Sequence, residues 1–127
     1  MKNREVYEAA LHLLAEPIEE DRLEDYALRA PYLLGCFFYE NSRLDTAYRK
    51  FNELEPHAFT HAVYSELDDD FPFAERFVNA ASHYLAAMLV IDEDAELSDR
   101  LFDMFCTSIS KITSEIPAAS ESIINIY

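Results

Sequence analysis

The stretch HYLAAMLVIDEDAELSDRLF, residues 83–102, decides the fold. It is apolar from Tyr84 to Ile91 and then meets Asp92, Glu93, Asp94, Glu96 and Asp99. Upstream of the acids, Phe77, Ala80, Ala81, Tyr84, Leu85, Met88 and Ile91 recur at steps of three and four, the period of a helix with a buried face. Downstream, Leu97, Leu101, Met104, Phe105, Ile109, Ile112 and Ile116 repeat that spacing. Asp94 or Asp92 then caps the second rod by accepting from its free N–H groups, and Glu96 and Asp99 fall in its first turn, where the helix dipole favours negative charge. The acids mark a bend between two helices. The first of these is expected to begin after Asp70 as N-cap, with Pro72 in its first turn, and to run to about Asp92. The second spans about Ala95 to Ile116 and is closed by Pro117.

Glycine scarcity supports an all-helical chain. One glycine in 127 residues leaves little for the tight turns of a sheet, which need positive φ. A first helix is expected from about Arg4 to Ala15, capped by Asn3, with Val6, Ala10, Leu13 and Leu14 on its buried face and Pro17 ending it. A second should cover Glu20 to Tyr39 through Leu23, Tyr26, Ala27, Ala30, Leu33, Leu34, Phe37 and Phe38. Pro31 lacks the N–H for the helical ladder, so the expectation there is a kink near Ala30 or two abutting helices. Gly35 beside Cys36 allows a close approach by another element. Residues 41–72, with Asn41, Ser42, Pro56 and three successive aspartates, read as an irregular acidic segment in which AYRKF and HAFTHAVYSEL form short helices at most.

The expected architecture is therefore all-α: a compact bundle of four main helices over residues 1–116 with an irregular acidic middle, followed by an extended tail over 117–127. The tail ends in Ile123, Ile124, Ile126 and Tyr127, which would fold back on their own core or anchor on a neighbouring subunit.

Ten Lys and Arg against 25 Asp and Glu give a net charge of −15, which repels phosphate backbones and anionic lipid and excludes ordinary or sequence-specific nucleic-acid binding. Nine Phe and eight Tyr supply the core that so charged a chain needs to fold. No apolar run reaches the roughly 18–20 residues that span a bilayer, and Glu5, Glu8 and His12 interrupt the N-terminal stretch where a signal peptide would be apolar. A soluble protein without a membrane role is expected. Cys36 and Cys106, set in apolar segments without Cys-x-x-Cys spacing, read as buried free thiols in a reducing compartment.

Catalytic patterns are weak. DEDAEL begins like a calcium loop but has Leu97 where the sixth-position glycine belongs and Asp103 where the twelfth-position glutamate belongs. His57 and His61 have the i, i+4 spacing of a metal pair, but Ala58 replaces the zincin glutamate and no third ligand is evident. His12 and His83 read as polar-face or interface residues, and Ser108, Ser110 and Ser114 as the polar face of the last helix, without a nucleophile motif. The expectation is a protein that is not an enzyme and carries neither cofactor nor metal.

The segments DYALRAPYLLGCFFYEN (25–41) and FPFAERFVNAASHYLAAMLVIDEDAELSDRLFDMFCTSISKI (71–112), separated by an acidic loop, resemble the head–tail connector or adaptor proteins of tailed phages and prophages. The resemblance covers most of the chain in pattern. It implies a homo-oligomeric ring, assembled in the bacterial cytoplasm and carried in the virion, that docks between the portal and the tail-completion proteins and lets DNA pass. Under it, Asp68, Asp69 and Asp70 are candidate channel or loop acids, and Ile123, Ile124, Ile126 and Tyr127 candidate contacts to a neighbour or the portal. The alternative is an acidic protein-binding module or DNA mimic that occupies a basic partner.

Overall fold

The computed structural model describes residues 1–14, 17–56 and 64–116. These form α1 (Asn3–His12), α2 (Glu20–Phe51), a 3-10 turn (Glu75–Phe77), α3 (Val78–Leu89) and α4 (Ala95–Ser114), with no strand among the described residues. The chain is an all-α bundle, as the helical period and the single glycine require.

α3 occupies the centre. It packs against α1, α2 and α4, and its Ala80, Ala81, Ala86 and Ala87 are fully buried. Small side chains on several sides of one helix let three neighbours close on it. The α3–α4 hairpin forms at the acidic bend. Asp94 Oδ1 accepts from Leu97 N at 3.0 Å, which is the N-cap of α4. Ser98 Oγ then donates to Ala87 O at 2.8 Å, and Asn79 Nδ2 donates to Ser108 Oγ at 3.0 Å. An aromatic cluster fills the space between α2 and the hairpin. Phe37 lies 5.7 Å from Phe73 and 5.7 Å from Tyr84, and Phe38 lies 5.0 Å from Phe73, measured between ring centroids.

Several boundaries differ from the sequence expectation. Asn3 does not cap α1. Lys2 holds that position, and Asn3 is buried, with Nδ2 donating to Ser65 Oγ at 2.9 Å and to Glu66 O at 2.8 Å. α1 stops at His12 and not at Ala15.

α2 is one helix of 32 residues that passes through Pro31 and continues to Phe51. Asn41 and Ser42, read as loop formers, instead bond back onto their own helix: Asn41 Nδ2 donates to Phe37 O at 2.9 Å and Ser42 Oγ to Tyr39 O at 3.3 Å. AYRKF is thus the end of α2, held there by Asp45. This carboxylate is 0% exposed, pairs with Arg49 Nε at 3.0 Å and accepts from Ala74 N at 2.8 Å. Arg49 also donates to Glu55 O and Pro72 O, so one buried ion pair ties both flanks of the middle segment to α2.

Asp70 does not cap α3. It forms an isolated antiparallel bridge with Lys2, and the chain stays non-helical until Glu75. Phe71 and Phe73 reach the aromatic cluster from that segment, with Phe71 5.5 Å from Phe38. Cys36 and Cys106 are exposed free thiols and not buried ones. Phe37 and Phe38 set the inward face of α2, and Cys36 lies more than a quarter-turn away from it at 3.6 residues per turn. Most of HAFTHAVYSEL and the tail 117–127 lie outside the described residues.

Candidate functional site

The candidate region lies where α2 crosses the end of the hairpin. Arg22 and Tyr26, one turn apart on α2, both donate to the Glu93 carboxylate in the bend, and Arg22 also donates to the Tyr26 hydroxyl at 2.7 Å. One further turn along, Arg29 donates to Met88 O at 3.1 Å and Leu89 O at 3.3 Å, the free carbonyls at the C-terminus of α3. Three successive turns of α2 therefore hold the hairpin by its tip. The hydrogen bond from Tyr26, aided by Arg22, holds Glu93 below the usual carboxylate range. Burial, then the bond to Glu93, pushes the Tyr26 phenol up, and the bonds to Tyr26 and Glu93 push Arg22 up. At neutral pH the carboxylate is ionised and the phenol protonated, so the phenol and the guanidinium both donate to a charged acceptor. Beside it opens a cleft of ≈ 540 Å³ between Leu14, Ile18, Val90 and Leu97, with Arg22, Glu93 and Arg100 at its polar edge.

The three loop aspartates are brought together, but against the N-terminal segment. Asp68 pairs with Arg4 at 2.9 Å, Asp70 pairs with Lys2 at 2.7 Å, and the Asp69 carboxylate accepts from Glu66 N at 3.2 Å. Main-chain bonds reinforce the contact: Arg4 N to Leu67 O at 2.8 Å, Asn3 N to Asp69 O at 3.0 Å and Phe71 N to Met1 O at 2.9 Å. Lys2 lowers the Asp70 carboxyl, and Asp70 raises the Lys2 ammonium. All three acids remain exposed.

His57, His61, Ile123, Ile124, Ile126 and Tyr127 lie outside the described residues. Among the described residues no group of three His, Cys, Asp or Glu side chains could hold a metal ion, and no helix is long and apolar enough to cross a membrane. His12 is exposed on α1. His83 is buried, and not on a polar face: its Nδ1 donates to Asn79 O at 2.8 Å, and its Nε2 has no partner among the described residues.

The other prominent surface is apolar. On the outward side of α2, Leu28 is 73% exposed, Tyr32 56% and Tyr39 55%, and on α4 Met104 is 52% exposed with Phe102 partly so. Tyr64 stands edge-on to Tyr32 with ring centroids 4.8 Å apart and widens the α2 patch. The signal for this patch is in the sequence: Leu28, Tyr32, Cys36 and Tyr39 step by four, four and three along one helical face, on the side away from Tyr26, Ala30, Leu34 and Phe37.

With this geometry in hand, comparison with known proteins adds no relative: no family model, no curated protein and no solved structure matches the chain.

Proposed function

We propose that this chain is an assembly protein that works by binding protein surfaces, and that the assembly is the head–tail connector its helix order resembles. The observation that carries the reading is the exposure of large apolar side chains on the outer faces of α2 and α4 in a molecule with 25 acidic residues. Side chains such as Leu28 and Tyr32 contribute little to the stability of the monomer, and aromatic anchors with apolar neighbours are what protein interfaces bury. The hairpin clamp serves the same end, because it fixes the angle between the helices that carry the two faces.

In the connector reading the acidic surface lets DNA slide past without adhering, since carboxylates repel phosphate at short range within the screening length of the cell's salt. The loop acids Asp68 and Asp70 carry their own cations, Arg4 and Lys2, so other exposed acids such as Asp92, Asp99 and Asp103 supply most of that repulsion.

The test is to purify the full chain and measure its mass by sedimentation velocity, alone and with portal rings, and to image the mixture by electron microscopy. Rings seated on the portal are the expected result. A chain that stays monomeric alone and with portal, yet binds a basic nucleic-acid enzyme tightly and salt-sensitively, overturns the connector reading in favour of the DNA mimic.

A further inference from the structure

The apolar stripe of α2 has charged ends of opposite sign. Asp21 lies toward its N-terminus, and Arg43 and Lys50 lie toward its C-terminus. At 100° per residue, Asp21, Leu28, Tyr32, Cys36, Tyr39, Arg43 and Lys50 all fall within an arc of about 80°. Arg43 and Lys50 are exposed and make no ion pair or side-chain hydrogen bond among the described residues, in a chain where acids outnumber bases by 25 to 10. The pairs Asp21 and Lys50, Leu28 and Arg43, and Tyr32 and Tyr39 share one midpoint, between Gly35 and Cys36.

A helix face with acids at one end, Asp21 and Asp25, bases at the other, Arg43 and Lys50, and apolar side chains between them is complementary to itself turned end for end. We infer that the partner of this face is a second copy of the chain, with the two α2 helices antiparallel about a two-fold axis near Cys36. Tyr32 then packs on Tyr39 of the second copy, Asp21 meets its Lys50, and the stem of Arg43 lies over its Leu28 with the guanidinium one turn from its Asp25. Each contact occurs twice, as a two-fold interface requires. Cys36 is small and exposed at the crossing, where the axes come closest. The antiparallel arrangement also sets opposite helix dipoles side by side.

The inference rests on the assembly reading and names the form the free chain takes. A two-fold contact closes at two copies, so a ring would be built through the other exposed face, on α4.

Four measurements on the full chain test it. Sedimentation should give a reversible dimer. Leu28→Asp should weaken it at least tenfold with an unchanged helical circular dichroism signal, because Leu28 is exposed and its loss leaves the core intact. Lys50→Asp should weaken it several-fold, and adding Asp21→Lys in the same chain should recover most of the loss, since the swap restores the complementarity at both ends. A short bis-maleimide should join two copies in Cys106→Ser, where Cys36 remains, and not in Cys36→Ser. Recovery by the charge swap is the readout a merely destabilised monomer would not show.

Dimers that persist unchanged in Leu28→Asp and cross-link only through Cys106 overturn the α2 pairing and leave the assembly reading standing. A chain that is monomeric at about 100 μM overturns the pairing as well, while binding to portal still decides the assembly reading separately.

Discussion

Asp45 ties the end of α2 to the segment before the 3-10 turn, and its replacement should give a large loss of stability. The carboxylate is fully buried, its Oδ2 pairs with Arg49, and its Oδ1 accepts from Ala74 N. Breaking a buried ion pair from one side costs about 3–5 kcal/mol, because the remaining charge is left without compensation. Arg49 keeps two carbonyl acceptors, Glu55 O and Pro72 O, and its side chain is 18% exposed, so Asp45→Ala belongs at the lower end, about 3 kcal/mol. Asp45→Asn keeps the acceptor for Ala74 but gives up both the charge and the acceptor for Arg49, whose Nε–H then faces an amide donor; with the bond to Ala74 kept, it should cost roughly half as much, about 1.5 kcal/mol. Urea unfolding followed at 222 nm measures both. At a slope of about 2 kcal/mol per M, the midpoint falls by roughly 1.5 M in the alanine variant and roughly 0.75 M in the asparagine variant. Asp45→Ala combined with Arg49→Met removes both charges and should be less destabilised than the sum of the single changes. An alanine variant within about 1 kcal/mol of the parent, or strict additivity in the double variant, would refute the claim that this pair anchors the middle segment.

Three further outcomes follow from the hairpin. Asp94→Ala removes the cap of α4 and should cost about 1 kcal/mol, read as a lower thermal midpoint, whereas Asp92→Ala, which no cap depends on, should stay within about 0.5 kcal/mol. Arg29→Met should lose about 1 kcal/mol through the freed carbonyls of Met88 and Leu89; an unchanged midpoint would mean that solvent serves those carbonyls equally well. Glu93 has a folded pKa lowered from 4.5, so its contribution is present above 4.5 and is lost as pH falls through the lower folded value. The stability difference between the parent and Glu93→Gln should therefore be widest near neutral pH and narrow progressively as the pH is taken below 4.5, and a difference that does not narrow under acid contradicts the clamp.

The hairpin was legible because two independent signals agreed on it: the apolar period on both sides of the bend, and an acid positioned to cap the second rod. Asp94 performs that role in the structure. The length of α2 was not legible, because Asn41 and Ser42 favour turns in isolation, and only the structure shows their side chains satisfied by the preceding helical turn. Asp70 was misplaced for a related reason. Aspartate with a proline two residues on resembles a helix start, but Phe71 and Phe73 both enter the aromatic cluster from a chain that stays extended there. For the cysteines an apolar neighbourhood in sequence does not amount to burial, because the helical phase set by Phe37 and Phe38 turns Cys36 outward. The Arg22, Tyr26 and Glu93 cluster joins residues about 70 positions apart, and no local pattern in either segment announces it.

α3 is walled in by three other helices, and this orders the way the molecule opens. Its amide protons can meet solvent only when α1, α2 or α4 has already parted from it, so in deuterium exchange the stretch from Ser82 to Leu89 should label last, at the rate of whole-molecule unfolding. The termini of α1 and α4 should label earlier, through fraying that leaves the centre undisturbed. A partner can thus settle on the outer helices and shift them slightly without loosening the rod on which they all rest.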